Sequence, residues 1–269
     1  MIDIYQVIIL GLIQGLTEFL PISSSAHLVI PSLLLDWADQ GLAFDVAVHV
    51  GTLSAVMIYY RADLMRMADR WSRSLAGAPA CDDSRLVWYL ALATVPAGAA
   101  GLLAGVFIEE NLRSLPVIAT TTLLFGIFLG MADRHAGIIS SERKIGFSLA
   151  ILIGCAQMLA LVPGVSRSGI TMTAALFLGM NRQASARFSF LLSIPIIASA
   201  GLLKIWELVT ANEAATVNWF SLGLGAVVSG LAAYVCIATF LRLINKVGFM
   251  PFVYYRIGLA AILYLFWLI

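Results

Sequence analysis

The chain has 269 residues, 61% hydrophobic and 12% charged, with a mean hydropathy of +0.96 and a net charge of +1. Soluble domains carry about 25% charged residues, so a water-soluble globular fold is excluded, and a net charge this small leaves no electrostatic footprint for nucleic acid. Cys81, Cys155 and Cys236 are scattered without CxxC or Cys/His pairing, which excludes a zinc or disulfide framework and leaves them as small apolar packing residues.

In chain order, the first residues, MIDIYQ, carry Asp3 and no basic n-region, so the N-terminus is expected to be mature and not a signal peptide. The apolar stretch Ile4–Leu35 follows, interrupted in its middle by EFLPISSSAH (Glu18–His27). Full spans are predicted at Phe44–Tyr60, Leu86–Ile108 and Leu115–Met131; the last two lie within runs free of Asp, Glu, Lys and Arg. About 20 such residues cross a bilayer. A second interrupted stretch, Ile145–Met180, precedes spans at Phe188–Trp206, Trp219–Leu241 and Pro251–Ile269. Asp63–Ser84 is expected to be the one sizeable loop. No soluble domain is left over, and residues 1–269 form one all-α, polytopic membrane domain.

Arg61, Arg66, Arg70, Arg73 and Arg85 crowd one connection. Arg134, Arg143 and Lys144 sit in a second, Arg182 and Arg187 in a third, Arg242 and Lys246 in a fourth. Basic loops stay in the cytoplasm, so Glu109–Ser114 and Glu207–Asn218 are placed outside. Span 44–60 must then run inward and span 188–206 outward. Each interrupted stretch therefore becomes a re-entrant helical hairpin, the two dipping in from opposite faces.

The two interruptions also align without a gap. Gly11, Gln14, Ser23 and Ser25 fall on Gly154, Gln157, Ser166 and Ser168. An inverted-topology repeat is predicted, residues 1–143 and 144–269, each with one hairpin and three spans.

The breaks carry the chemistry. Gln14 and Glu18 share a helix face, Pro21 ends that helix, and Ser23, Ser24 and Ser25 can cap the next. Pro163 and Gly164 stop a second helix, with Ser166 or Ser168 starting another and Arg167 at its mouth. Helix N-termini meeting near the midplane suit phosphate. A cavity lined by Glu18, Ser23, Ser24, Ser25, His27, Arg167, Ser168 and Thr171 is expected, with Glu18 and Arg167 paired across the repeat interface. A charge near the bilayer centre costs about 2.5–3.5 kcal/mol even on gentle scales. Asp45 and His49, spaced i,i+4, either pack, line this cavity or bind a cation. His135 belongs to a solvated basic loop.

At these residues the chain resembles a known family. QGLTEFLPISSSAH and PGVSRSGIT are similar to the two signature motifs of the undecaprenyl-diphosphate phosphatases, and FDVAVHVGTL (Phe44–Leu53) and ARFSFLLSIP (Ala186–Pro195) extend the likeness. The resemblance implies a bacterial inner-membrane enzyme that hydrolyses undecaprenyl diphosphate to the monophosphate and inorganic phosphate, recycling the lipid carrier of cell-wall synthesis in a pocket open to the periplasm. It implies Glu18, Ser24 and His27 as catalytic, and Arg167, Ser166 and Thr171 as diphosphate-binding, with Arg167 also stabilising the charge that develops. Gln14 occupies a place where the family carries Glu or Gln. Losing that carboxylate weakens any metal site held by two protein acids, so the supporting divalent cation, Mg or Ca, is expected to arrive with the substrate diphosphate. Either Ser24 or His27 attacks phosphorus. The remaining partners are membrane lipids, and a homodimer is compatible with the sequence. The rival class is a transporter, ion-coupled or carrying lipid phosphate through the same inverted-repeat site.

Overall fold

The computed structural model describes residues 3–35, 37, 40–136, 145–210 and 218–268, and these are helical with no strand among them. Arg143, Lys144 and the repeat boundary beside them lie outside the described residues, as does most of the connection 207–218. Among the described residues six helices are long and apolar enough to cross a membrane: α3 (Gly41–Tyr59), α5 (Asp82–Asn111), α6 (Leu115–Ala136), α9 (Arg182–Thr210), α10 (Trp219–Val247) and α11 (Met250–Leu268). Each coincides with a predicted span. Several run further than predicted, because polar first and last turns continue the helix after the apolar run ends.

The shorter helices are α1 (Ile4–Thr17), α2 (Ser24–Leu34), α4 (Arg61–Leu75), α7 (Phe147–Gln157) and α8 (Arg167–Phe177), with a 3-10 turn at Met158–Leu161 continuing α7. Here one expectation is corrected. Most of Asp63–Ser84 is not a loop: α4 occupies Arg61–Leu75, and α5 begins at Asp82. Its average hydropathy is low, so a search for apolar runs passes over it, yet its inner face buries Met67 in the main core. Arg66–Asp63 at 2.6 Å and Arg73–Asp69 at 2.9 Å support it along its length, and Asp63 also receives Arg187 of α9.

α1 and α3 both pack against α10, α6 against α11, α7 against α5, and α8 between α6 and α9. Backbones come close where glycine permits. Gly51 of α3 faces the Ala226 carbonyl and Ser229 of α10, leaving no room for a Cβ. Ser229 Oγ then donates to Val48 O at 2.9 Å. A chain of aromatic rings ties the first break to the second half of the protein: Phe19 meets Phe190 edge-on at 5.2 Å, and Phe190 meets Phe240 at 5.6 Å. The outside is apolar too: Leu102, Leu103 and Val106 of α5 are largely exposed. A helical protein apolar within and without is one solvated by lipid, and this is a multi-pass membrane protein.

Candidate active site

Both breaks are made the same way. α1 ends at Thr17, and Pro21, lacking an N–H, prevents its resumption. The chain then turns at Ser23, whose φ of 74° is rare for a residue with a Cβ. Ser23 Oγ accepts the Ala26 N–H and caps α2. In the second break, Pro163 and Gly164 lead to Ser166, also at φ 74°, whose Oγ accepts the Gly169 N–H and caps α8. Among the described residues these two serines are the only non-glycine positions with positive φ. The breaks touch: Ser168 Oγ donates to Leu20 O at 2.8 Å.

Between them lies a cavity of about 460 Å³. Of the predicted site residues, Glu18, Ser23, Ser24, Ser25, Ser166 and Arg167 line it. Glu18 on its wall is held from several sides. Its Oε1 accepts from Arg167 Nη2 at 2.7 Å, and its Oε2 accepts from Ser24 Oγ at 2.7 Å and Gln14 Nε2 at 3.1 Å. The Glu18–Arg167 pairing expected from the sequence is thus present. Arg167 is steadied by a second donation, from Nη1 to Ser189 O at 3.2 Å, and by the Phe19 ring beneath it. A hydroxyl held on a carboxylate, a fork-shaped cation and the first turns of two helices form a set suited to a phosphoryl group.

The other predicted residues stand behind the wall. Gln14 is fully buried against Glu18. Thr171 Oγ1 lies 2.7 Å from Ser189 Oγ, and Ser168 joins the breaks as described. His27 does not line the cavity. Its Nδ1 lies 2.6 Å from Ser23 O and its Nε2 lies 2.6 Å from Tyr255 Oη. A carbonyl only accepts, so Nδ1 carries the proton and Tyr255 donates to Nε2. Both ring nitrogens are engaged.

Other residues enter from elsewhere. Asp45 and His49 of α3 and Lys204 of α9 line the same cavity. His49 Nε2 lies 3.8 Å from Glu18 Oε2, which decides between the readings left open for it. Arg256 of α11 was missed. It is fully buried, donating Nε to Thr122 O, Nη1 to Pro21 O and Val165 O, and Nη2 to Gly164 O and Thr121 O. One guanidinium therefore binds the carbonyls of both breaks and of α6. An arginine inside an apolar span of 19 residues was the signal that could have found it.

Residues 7–262 match the family described as bacitracin resistance protein BacA. A protein of Hahella chejuensis named undecaprenyl-diphosphatase is 56% identical over 258 residues, covering 95% of each chain. A protein of the same name from Teredinibacter turnerae is 53% identical over 263 residues, covering 98% of this chain and 99% of its own. Another from Colwellia psychrerythraea is 55% identical over 262 residues, covering 95% and 96%.

Proposed function

The chain belongs to the bacitracin resistance protein BacA family, and from that premise we propose how its residues act as an undecaprenyl-diphosphatase. It hydrolyses undecaprenyl diphosphate to undecaprenyl phosphate and inorganic phosphate. The observation that carries the mechanism is Ser24 Oγ held 2.7 Å from Glu18 Oε2 on the cavity wall, with Arg167 on the other carboxylate oxygen.

Glu18 takes the proton of Ser24 as Oγ attacks the terminal phosphorus. Arg167 and the first-turn amides of α2 and α8 hold the phosphoryl oxygens and stabilise the charge that develops as the bridging oxygen departs. Ser24 is favoured over His27 as nucleophile because His27 has both nitrogens occupied away from the cavity. The same wall argues against a carrier: an anion transporter needs Arg167 and amide donors, but has no use for a serine seated on a buried acid.

The donors here do not fit a divalent cation caged by protein. Both oxygens of Glu18 are taken by Arg167, Ser24 and Gln14, and among the described residues no three His, Cys, Asp or Glu side chains converge. A supporting Mg or Ca ion would arrive with the diphosphate itself.

The pairs α1–α2 and α7–α8 act as re-entrant hairpins of an inverted repeat, supported by the matched serines at the two breaks. The cavity is lined by Leu42, at the start of α3, and Lys204, near the end of α9. Loop charge puts both of those ends outside, which supports a site facing the periplasm from the bacterial inner membrane. That is where the recycled carrier lipid would be dephosphorylated.

The test is release of inorganic phosphate from undecaprenyl diphosphate by the purified protein in detergent, beside a folded Ser24→Ala variant. Release by the wild type and its loss in the variant are expected. Release by neither, with both monodisperse, would overturn the assignment; release by both would remove Ser24 from it.

A further inference from the structure

Two protons move in the full reaction, one from Ser24 and one from the attacking water. A carboxyl that takes the proton of Ser24 and keeps it for return to Oγ is not free to take the proton of the attacking water. A second base on the cavity wall would let Glu18 keep that proton through both halves of the reaction.

We propose that His49 is that base. Its Nδ1 lies 2.7 Å from the main-chain oxygen of Asp45, one turn back on α3. Since a carbonyl only accepts, Nδ1 carries a proton, and the ring in its neutral form presents the lone pair of Nε2 to the cavity. That nitrogen lies 3.8 Å from Glu18 Oε2, and the side chain is 36% exposed, open enough for water to stand against it. The other titratable groups on the wall are committed. Asp45 accepts from Gln40 Nε2 at 3.0 Å, Lys204 pairs with Glu207 at 3.0 Å, and Arg167 is a permanent cation on Glu18. These same groups, with Glu18, are the charges that His49 faces: from its own helix, from α8 and α9 and from the end of α1. His135, like His27, does not line the cavity.

The steps balance. In the first half the Ser24 Oγ–P bond forms, the bridging P–O bond breaks, undecaprenyl phosphate leaves, and the serine proton passes to Glu18 Oε2. In the second half the water oxygen bonds to phosphorus and its proton passes to His49 Nε2. The Ser24 Oγ–P bond then breaks, and Glu18 returns its proton to Oγ. His49 releases its proton to solvent with the phosphate.

The assignment rests on Ser24 as nucleophile, and the experiment separates the two. Substrate labelled in its terminal phosphate is mixed with wild type, Ser24→Ala, His49→Gln, His49→Ala and His27→Ala in detergent, and protein-bound label and free phosphate are followed in time. General-base catalysis contributes about 10²–10⁴-fold, so His49→Gln should lose turnover by roughly that factor while label appears on Ser24 at the wild-type rate and accumulates. Imidazole in the buffer should restore turnover to His49→Ala and not to His27→Ala. Turnover of His49→Gln equal to wild type would overturn the role of His49, as would loss of labelling together with turnover in a folded variant. Hydrolysis that persists in Ser24→Ala would instead overturn the nucleophile.

Discussion

Ser23 and Ser166, from opposite halves of the chain, share one unusual backbone: φ is 74° at both, with ψ 96° and 113°, and each hydroxyl caps the helix that follows. A Cβ is disfavoured in that region, so the cap and the strain oppose each other. Replacing a serine cap by alanine costs about 1 kcal/mol, whereas glycine costs only a few tenths and relieves the strain. Ser166→Ala should therefore melt lower than wild type by about 2–4 °C, and Ser166→Gly should melt close to it. Thermal unfolding in detergent checks this; a glycine variant less stable than the alanine variant would contradict it.

Glu18 and Arg167 should prove energetically coupled. Breaking a buried pair costs about 3–5 kcal/mol because one charge is left without compensation. Both side chains line the cavity and keep a little exposure, which moves the cost toward the lower end. Arg167→Gln should accordingly be less stable than the double variant Glu18→Gln/Arg167→Gln, in which no charge is stranded. A double-mutant cycle on unfolding measures the coupling, and strictly additive effects would show that the pair contributes nothing to stability.

Arg256, whose hydrogen-bond partners among the described residues are all main-chain carbonyls, should be critical to folding. It satisfies carbonyls of Pro21, Gly164, Val165, Thr121 and Thr122. Each buried acceptor left unsatisfied costs about 1–3 kcal/mol. Arg256→Met should thus lose stability by more than any single hydrogen bond would, and Arg256→Lys should recover less than half, since an ammonium cannot reach as far or fork. Yield of monodisperse protein and its melting temperature are the readouts, and a stable methionine variant would refute the bracing role.

Gly51 tests how α3 is held. A methyl there would meet the Ala226 carbonyl and Ser229 Oγ of α10. Overpacking of this kind costs about 1–3 kcal/mol, and α3 also carries Asp45 and His49. Gly51→Ala is expected to lower both melting temperature and phosphate release, while Gly98→Ala, where nothing lies within 4 Å of the added carbon, should leave the melting temperature unchanged. Equal melting of the two variants would mean that α3 can shift freely.

The membrane class, the six spans and the positions of both breaks are legible in the chain alone. Those features are written locally: an apolar run long enough for a bilayer, a proline, a serine able to cap. The sequence also put Glu18 and Arg167 together, because two charges inside an apolar chain need each other. α4 escaped because an amphipathic helix averages to a polar stretch.

Which imidazole faces the site depends on how the helices pack. His27 is close to Ser24 in the chain, but its ring turns to Tyr255 of α11, whereas His49 arrives from a separate helix. The five carbonyls on Arg256 come from three segments far apart in the chain, and no local spacing encodes their convergence. In a membrane, backbone groups freed by a broken helix must find partners within the protein. Where the chain supplies those partners is settled by packing across the bundle, and the side chains left facing the cavity are settled with them.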